Sequence, residues 1–180
     1  MILWHEKFLL PEDTVSNLKK KYSNEYFLTG DPDWGQHYTG YHRNPMNSAA
    51  TVNGGFVDKE LLDLYVPKLK SILKKFGLLD KKSIYSFNSI WGQLYKRELS
   101  AIIDVHNHYS EPRQLISWVH FVEVPEQKCF YFQMDDQKIY PDTQSSSDLI
   151  FYPSYAKHGV DKMIEGDDRF VVVGNIIRLN

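Results

Sequence analysis

Asp104-Val105-His106-Asn107-His108 carries two histidines two positions apart, at the end of an apolar run that begins at Leu99. In an extended strand alternate side chains lie on one face, roughly 6 to 7 Å apart along it, so His106 and His108 can point at a common atom. A third ligand must come from elsewhere, and His158 is the best-placed candidate. Imidazole binds iron, zinc, copper and nickel, so the histidines predict a metal site without naming the ion. The alternative interpretation is a pair that faces solvent or a satisfied hydrogen-bond network.

Runs rich in aromatic and β-branched residues surround this segment and predict strands. They cover residues 84–95, 99–106, 115–124, 129–134, 149–152 and 170–179. Helical segments followed by many short strands predict a mainly β fold, a β-sandwich or jelly roll with helices packed on one sheet. We expect one domain over residues 1–180, with helical support and a long loop in 1–80 and the jelly-roll core in 83–180.

The N-terminal part of the chain predicts two helices and the long loop between them. Pro11-Glu12-Asp13-Thr14 places acids at a helix start, where they complement the helix dipole. Apolar residues recur at helical spacing over 58–76, and Pro67 is expected to break or kink this helix into two pieces. Residues 29–55 are rich in Gly, Pro, Asn and aromatic residues, which predicts either a lid or substrate loop or a plain surface excursion.

Composition narrows the classes of partner and compartment. The 180 residues carry a formal net charge of -2, which gives no general electrostatic reason to bind nucleic acid or an anionic membrane. Cys129 is the single cysteine, and the apolar start Met1-Ile2-Leu3-Trp4 is ended by His5 before it reaches the length of a signal sequence. We therefore expect a cytoplasmic protein that does not enter a membrane. The sequence does not indicate an oligomeric state.

Three motifs in the second half of the chain resemble those of a known family. They are Phe151-Tyr152-Pro153-Ser154-Tyr155-Ala156-Lys157-His158-Gly159-Val160, then Arg169-Phe170-Val171-Val172-Val173-Gly174-Asn175, and, more weakly, the run 117–125. Together with the His-x-His segment they are similar to the iron(II)- and 2-oxoglutarate-dependent oxygenases. The nearest pattern is that of a subgroup with His-x-His, Phe-Pro-Ser-x-x-x-His-x-Val and Arg-x-Ser-x-x-x-Asn. The resemblance spans roughly 91–175, nearly half of the chain.

The resemblance implies a double-stranded β-helix, a cupin-like jelly roll, that holds iron at one open end. In it His106 takes the proximal iron-ligand position, His158 the distal one, and Arg169 pairs with the C5 carboxylate of 2-oxoglutarate. The implied cofactors are Fe(II) and 2-oxoglutarate, with dioxygen as the second cosubstrate. The implied reaction is hydroxylation of a small amino acid or of a side chain within a peptide.

Two departures from the family pattern leave alternatives open. The acid two residues after the first histidine is replaced by His108, so either three imidazoles bind the metal or a carboxylate such as Asp104 completes the site. Asp104 could instead orient an imidazole, and a shifted register would make His108 the proximal ligand. In addition, Val171 stands where a hydroxyl often follows the arginine. Another polar group would then have to reach the cosubstrate, and the candidates are Tyr95, Tyr131 and Asn88.

Two other functions fit the same histidines. One is a cupin-like three-histidine dioxygenase that does not use 2-oxoglutarate, and the other is a non-catalytic β-sandwich that binds a ligand and keeps a remnant metal site. For two other residues a structural role is the favoured prediction. His120 is expected to be a hydrogen-bonded histidine of the core, and Trp91 is expected to pack in the core rather than to line a pocket. Asn175 is predicted to line the cavity or to bond to nearby backbone.

Overall fold

The computed structural model of the protein describes residues 1–31, 33, 35–43, 57–79, 82–108 and 114–180. Two α-helices lie in these ranges, α1 (Glu12–Tyr22) and α2 (Lys59–Lys75), together with short 3₁₀ turns at Glu25–Phe27, Tyr41–Arg43 and Arg97–Leu99. The strands are β1 (Trp4–Lys7), β2 (Leu28–Asp31), β3 (Gly35–Thr39), β4 (Tyr85–Ser86), β5 (Ile90–Tyr95), β6 (Ile103–His106), β7 (Gln114–Glu123), β8 (Phe130–Met134), β9 (Gln137–Ile139), β10 (Asp148–Pro153), β11 (His158–Val160) and β12 (Arg169–Arg178).

The strands form two antiparallel sheets. In the described residues the major sheet has the order β1-β10-β7-β12-β5-β3-β2, with β4 paired to β12, and the minor sheet has the order β6-β11-β8-β9. This arrangement confirms the prediction of a mainly β jelly roll. No helix in the described ranges is long and apolar enough to cross a membrane.

Two hydrophobic cores lie on opposite faces of the major sheet. The helix core packs α1 and α2 against one face, where the ring of Tyr65 of α2 stacks on Trp118 of β7 with the centroids 5.1 Å apart. The ring of Tyr22 of α1 lies 6.0 Å from that of Phe170 of β12. The barrel core fills the space between the two sheets, where Val171 of β12 and Phe130 of β8 both lie. Phe170 and Val171 are consecutive and enter different cores because successive side chains of a strand point to opposite faces. The prediction that helices pack on one sheet is therefore confirmed.

Pro67 does not divide the second helix. The predicted break is wrong, because α2 runs without interruption from Lys59 to Lys75 with Pro67 inside it. Proline removes one backbone hydrogen bond, but Tyr65 and Leu69 on either side of it are fully buried against the major sheet. Tertiary packing of the apolar face, rather than local propensity, supplies most of the stability of a helix.

The predicted loop at 29–55 begins in fact as a hairpin. β2 and β3 pair from Leu28↔Tyr38 to Asp31↔Gly35, and β3 joins β5 at the edge of the major sheet. Gly35 has a φ of 105°, and a Cβ there would lie 2.6 Å from the carbonyl oxygen of Ser100, so the backbone approach requires glycine. The hairpin was not predicted because the many turn-forming residues of this segment favoured a loop. The rest of the predicted lid or substrate loop, from residue 44 onward, falls in residues 44–56, which lie outside the described residues.

The first strand of the sheet was also missed. β1 precedes both helices and pairs with β10 from Trp4↔Phe151 to Lys7↔Asp148. The expectation of helices followed only by strands is therefore wrong at the N-terminus. Four residues of mixed polarity give too short a pattern to identify a strand from periodicity.

Candidate metal centre

Strand pairing brings the three predicted histidines together. His106 at the end of β6 pairs directly with His158 at the start of β11, and His108 lies two residues beyond β6. The ligand nitrogens of the three lie within 4.8 Å of one another, and Nε2 of His108 is 3.2 Å from Nε2 of His158. The backbone N–H of His108 donates to the carbonyl oxygen of Ser154 at 2.9 Å, which fixes the segment after β6 against the turn after β10.

Backbone carbonyls orient two of the imidazoles. Nδ1 of His106 lies 2.8 Å from the carbonyl oxygen of Asp104, and Nδ1 of His158 lies 2.9 Å from that of Ala156. A carbonyl oxygen only accepts, so in each ring Nδ1 carries the proton and Nε2 keeps its lone pair. The Nε2 atoms of these two rings are therefore free to bind a cation, as in metal sites where the second nitrogen of a histidine bonds to a fixed acceptor.

Burial keeps the histidines in the form that binds metals. Desolvation, with the neighbouring His158 and His106 adding to it, holds the pKa of His108 well below its ordinary value. Desolvation and the nearby His106 lower the pKa of His158 to about 3. Both rings are therefore neutral near pH 7, and a neutral imidazole has a free lone pair for a metal.

Asp104 does not take part through its side chain. It is exposed, and only its backbone oxygen contacts His106. Within the described ranges, no carboxylate joins the three imidazoles at comparable distances. Of the two ligand sets left open by the sequence, the geometry therefore supports the three imidazoles, with the backbone of Asp104 acting to orient His106.

The histidines open onto a pocket between the two sheets. Its walls are built mostly from inward-facing strand residues, namely Trp91, Gln93, Tyr95, Ile103, Val119, Phe130, Tyr152, Val160, Arg169, Val171 and Val173, with Trp118 and Gly174 also at the wall. Most of this wall is apolar or aromatic, and no acidic residue of the described chain lines it. A concave, largely apolar site with a few converging polar groups is the usual form of a ligand pocket.

Arg169 places a buried positive charge in the wall of this pocket. Its residue is 2% exposed, and its guanidinium carbon lies 4.9 Å from the ring centre of Tyr95 and 5.6 Å from that of Phe121. Nη1 is buried and has no hydrogen-bond partner, and no acidic group of the described residues forms an ion pair with the guanidinium. A buried cation without a negatively charged partner is costly, so this site favours an anionic ligand.

Tyr95 lies in the pocket wall beside Arg169. Its hydroxyl donates to Oε1 of Gln93 at 2.8 Å, and its ring stacks on that of His37 with the centroids 5.2 Å apart. Burial raises the pKa of Tyr95 to about 12, so it remains a neutral hydrogen-bond donor. Of the three polar groups considered for the cosubstrate, Tyr95 is the one that the structure places at the pocket.

Tyr131 and Asn88 do not line the pocket. Phe130 and Phe132 point into the barrel core, so Tyr131 between them lies on the opposite face of the minor sheet, where it packs against Tyr140 at 5.8 Å. Asn88 is exposed just before β5. The structure therefore does not support a contact of either residue with a cosubstrate, because Tyr131 faces away from the pocket on β8 and Asn88 lies in the segment before β5.

Sequence reasoning did not single out Gln93 and Tyr152, and it ranked Trp91 as a core residue first. Trp91 and Gln93 share the inward face of β5 with Tyr95, and this alternation was the available signal. The hydroxyl of Tyr152 lies 3.3 Å from Nε2 of His158. The indole N–H of Trp91 is buried in the pocket wall and has no hydrogen-bond partner. Both groups can therefore contact a ligand bound beside the histidines.

Two other polar residues lie outside the pocket. Nδ1 of His120 is 2.5 Å from the hydroxyl of Tyr65 on the helix side of the major sheet, which confirms a hydrogen-bonded core histidine. Asn175 is buried in a polar network, where Ser117 donates to its Oδ1 at 2.7 Å and its Nδ2 donates to Ser89 at 3.2 Å. Its backbone N–H also donates to the carbonyl oxygen of Ser89. The side chain of Asn175 thus bonds to the hydroxyls of Ser117 and Ser89, and neither of its two predicted roles is confirmed.

Comparison with known proteins identifies relatives by fold alone. Neither a family model nor a curated protein matches the chain by sequence. A prolyl-4-hydroxylase from Pseudomonas putida aligns over 98% of this chain and 92% of that chain, with a TM-score of 0.61 and 13% identity.

Two further solved structures share the arrangement. A prolyl hydroxylase from Trichoplax adhaerens, in complex with a hypoxia inducible factor oxygen degradation domain peptide fragment, aligns over 97% of this chain and 82% of that chain, with a TM-score of 0.62 and 9% identity. HygX from Streptomyces hygroscopicus, with nickel and 2-oxoglutarate bound, aligns over 96% and 81%, with a TM-score of 0.57 and 10% identity. The chain therefore has the jelly-roll fold of 2-oxoglutarate oxygenases.

Proposed function

We propose that this protein is an iron(II)- and 2-oxoglutarate-dependent dioxygenase that hydroxylates a small amino acid or a side chain within a peptide. One observation carries the proposal. Three converging imidazoles and a buried guanidinium with no acidic partner among the described residues face the same pocket, in a fold shared with 2-oxoglutarate oxygenases. A metal and an anion are the two ligands that these groups are built to receive.

The three histidines fit the metal. Neutral imidazoles suit iron among the borderline metals, and the Nε2 atoms of His106 and His158 are already directed by their backbone partners. His106, His108 and His158 would hold the ion. When it is bound, iron(II) supplies the oxidative decarboxylation of 2-oxoglutarate by dioxygen, coupled to hydroxylation of a C–H bond.

Arg169 fits the carboxylate of the cosubstrate. A guanidinium offers a planar fork of donors that matches a carboxylate in a bidentate pair, and Nη1 of Arg169 lacks any other acceptor. The guanidinium also lies against the rings of Tyr95 and Phe121, which help to position it. The neutral hydroxyl of Tyr95 can add a hydrogen bond by releasing Gln93. The apolar wall around these groups excludes water, which strengthens each of these interactions.

The proposed substrate class rests on weaker support. A prolyl hydroxylase of the same fold is known in complex with a peptide fragment, which makes a peptide side chain one candidate. A free amino acid is the other candidate, because the described pocket is narrow and closed by aromatic walls.

Binding and turnover together test the function. Protein loaded with manganese in the absence of oxygen should bind 2-oxoglutarate, and protein loaded with ferrous iron in air should convert 2-oxoglutarate to succinate. His158→Ala should abolish both, because it removes a ligand and the group that Tyr152 contacts. His5→Gln is the matched control, since His5 lies on β1 against Asp148, on the outer edge strand of the major sheet.

Each negative result points to one of the rival functions. Metal binding without any binding of 2-oxoglutarate would exclude the proposal and leave a cupin-like three-histidine dioxygenase, which would consume oxygen with its substrate alone. Failure to bind iron, nickel, zinc or cobalt after reconstitution would leave the non-catalytic β-sandwich. The buried Arg169, which has no acidic partner among the described residues, favours the 2-oxoglutarate enzyme over the three-histidine dioxygenase, because that rival has no dianionic cosubstrate to pair with it.

A further inference from the structure

We propose that the uncharged side chain of His108, at a metal-ligand position, makes the binding of the metal to this protein depend unusually strongly on 2-oxoglutarate. The proposal rests on the proposed function and concerns the order and affinity of binding at the same site. It follows from the formal charges of the described residues that line the pocket.

His108 occupies a ligand position without supplying charge. Its Nε2 is 3.2 Å from Nε2 of His158, and its backbone is tied to Ser154, so the ring is held in the cluster. The carboxylate of Asp104 is exposed and does not join the cluster. The ligand set that the structure presents to a divalent cation is therefore neutral.

The rest of the pocket adds positive charge. Arg169 is the only formally charged side chain among the described residues of the wall, which include no Asp or Glu. A divalent ion bound to three imidazoles would share a largely apolar cavity with this guanidinium. Like charges repel more strongly where water is excluded, and each buried ion also loses its hydration. Binding of the metal alone is therefore opposed by the pocket.

A dianionic cosubstrate offsets the repulsion between the metal and Arg169, because it brings one negative charge to each of them. One carboxylate pairs with Arg169, and the second negative charge neutralises part of the charge of the metal. The metal should therefore bind much more tightly when 2-oxoglutarate is present. By thermodynamic linkage, 2-oxoglutarate must gain the same factor from the metal. Couplings between sites commonly reach about 5- to 150-fold, and the unneutralised charges here place the expected value in the upper part of that range.

Two substitutions at one position separate charge from geometry. His108→Asp and His108→Asn both offer an oxygen ligand of the same size, but only the aspartate brings a negative charge. Aspartate should tighten the binding of the metal alone and reduce the coupling factor by roughly tenfold, because part of the neutralisation no longer depends on the cosubstrate. Asparagine should keep the coupling factor of the unmodified protein, even where both ligands bind more weakly.

Calorimetric titration with manganese provides the measurement. Wild-type protein, His108→Asp and His108→Asn are each titrated with Mn²⁺ without and with saturating 2-oxoglutarate, and circular dichroism checks that each variant is folded. The proposal is supported by a large coupling in the wild type and in His108→Asn and a small one in His108→Asp. An equal coupling factor in wild type and His108→Asp overturns it, and so does its loss in folded His108→Asn.

The result also separates this inference from the proposed function. If metal-loaded wild-type protein does not bind 2-oxoglutarate at all, the proposed function fails. If it binds 2-oxoglutarate but Mn²⁺ affinity is the same with and without it, the function stands and the coupling proposal fails.

Discussion

At the scale of single residues, Arg169 gives the most direct test of the cosubstrate. Arg169→Lys keeps the charge but loses the planar fork, and we expect 2-oxoglutarate to bind about 10- to 100-fold more weakly, as loss of a charged hydrogen bond costs about 1.5–3 kcal/mol. Arg169→Met should weaken binding of 2-oxoglutarate further, while manganese alone should bind at least as tightly as to the wild type, because the substitution removes a repelling charge from the pocket. Titration of manganese-loaded protein with 2-oxoglutarate measures both effects.

The control for this prediction lies on the same strand. Arg178 is exposed at the far end of β12 and does not line the pocket. Arg178→Met should therefore leave the affinity for 2-oxoglutarate unchanged. If Arg169→Met bound 2-oxoglutarate as tightly as Arg178→Met does, the guanidinium would have no part in holding the cosubstrate.

His120 makes the folded state sensitive to acid. Burial lowers the pKa of His120 to about 4, below its ordinary value of 6.5. Between these values the unfolded chain binds a proton that the folded protein does not, so stability is present above about pH 6.5 and is lost as the pH falls toward 4. The difference in pKa corresponds to about 3 kcal/mol. His120→Gln should remove this part of the pH dependence of the free energy of unfolding, as measured by urea denaturation from pH 4 to 7.

Tyr65 provides the comparison for the acid sensitivity. Tyr65→Phe deletes the hydroxyl that bonds to Nδ1 of His120 but leaves the imidazole buried. This variant should be less stable at every pH and still lose stability between about pH 6.5 and 4. A pH dependence that is equally steep in His120→Gln and in Tyr65→Phe would show that His120 is not the titrating group.

Residues of the candidate site could be predicted where the two-residue alternation of a strand places side chains on one face. His106 and His108 were paired by strand periodicity, and the motif 151–160 supplied His158. Tyr131 was misplaced because the sequence does not say which face of β8 is inward, and both faces are buried there. Trp91 and Gln93 were not ranked as pocket residues for the same reason, since most of β5 is buried on both sides.

At the scale of elements, the contact between α1 and β5 depends on a glycine. A Cβ at Gly92 would lie 2.6 to 2.8 Å from ring atoms of Tyr22, and that ring is fully buried with its hydroxyl bonded to Asp58 at 2.8 Å. Gly92→Ala should destabilise the protein by about 1–3 kcal/mol, the usual cost of overpacking. Urea unfolding measures this change.

A double-mutant cycle identifies the cause of that loss. In a Tyr22→Ala background the methyl group of Gly92→Ala meets no ring, so its cost should largely disappear. An unchanged cost in this background would assign the effect to the backbone of β5 rather than to its contact with α1.

The prediction of elements succeeded for long patterns and failed for short ones. The strands at β7 and β12, each of ten residues, were found within one residue of their ends. β1, β9 and β11 have three or four residues each and carry too little periodicity to be recognised. The continuity of α2 through Pro67 could not be predicted locally, because it depends on burial of Tyr65 and Leu69 against a sheet formed by distant residues.

At the scale of the whole molecule, the two cores divide stability from binding. The helix core supports the major sheet from outside, whereas the barrel core contacts the histidines directly. Phe130 lies 5.6 Å from His158 and 5.9 Å from Tyr152, measured between ring centroids, so the barrel core also shapes the candidate site. The order of helices and strands in the sequence predicted the fold class. Which core supports the sheet and which one shapes the candidate site is known only from the packing of both sheets.

Matched truncations in the two cores test this division. Leu69→Ala in the helix core should lower the free energy of unfolding by about 2–5 kcal/mol and leave the affinity for Mn²⁺ within roughly twofold, since Leu69 is fully buried away from the pocket. Phe130→Ala should lower stability by about 3–5 kcal/mol and also weaken Mn²⁺ binding by about tenfold, because the ring of His158 loses a packing neighbour. Urea denaturation and calorimetry measure the two quantities. Equal weakening of Mn²⁺ binding in both variants would mean that the major sheet transmits changes between the cores and that the candidate site depends on the whole barrel.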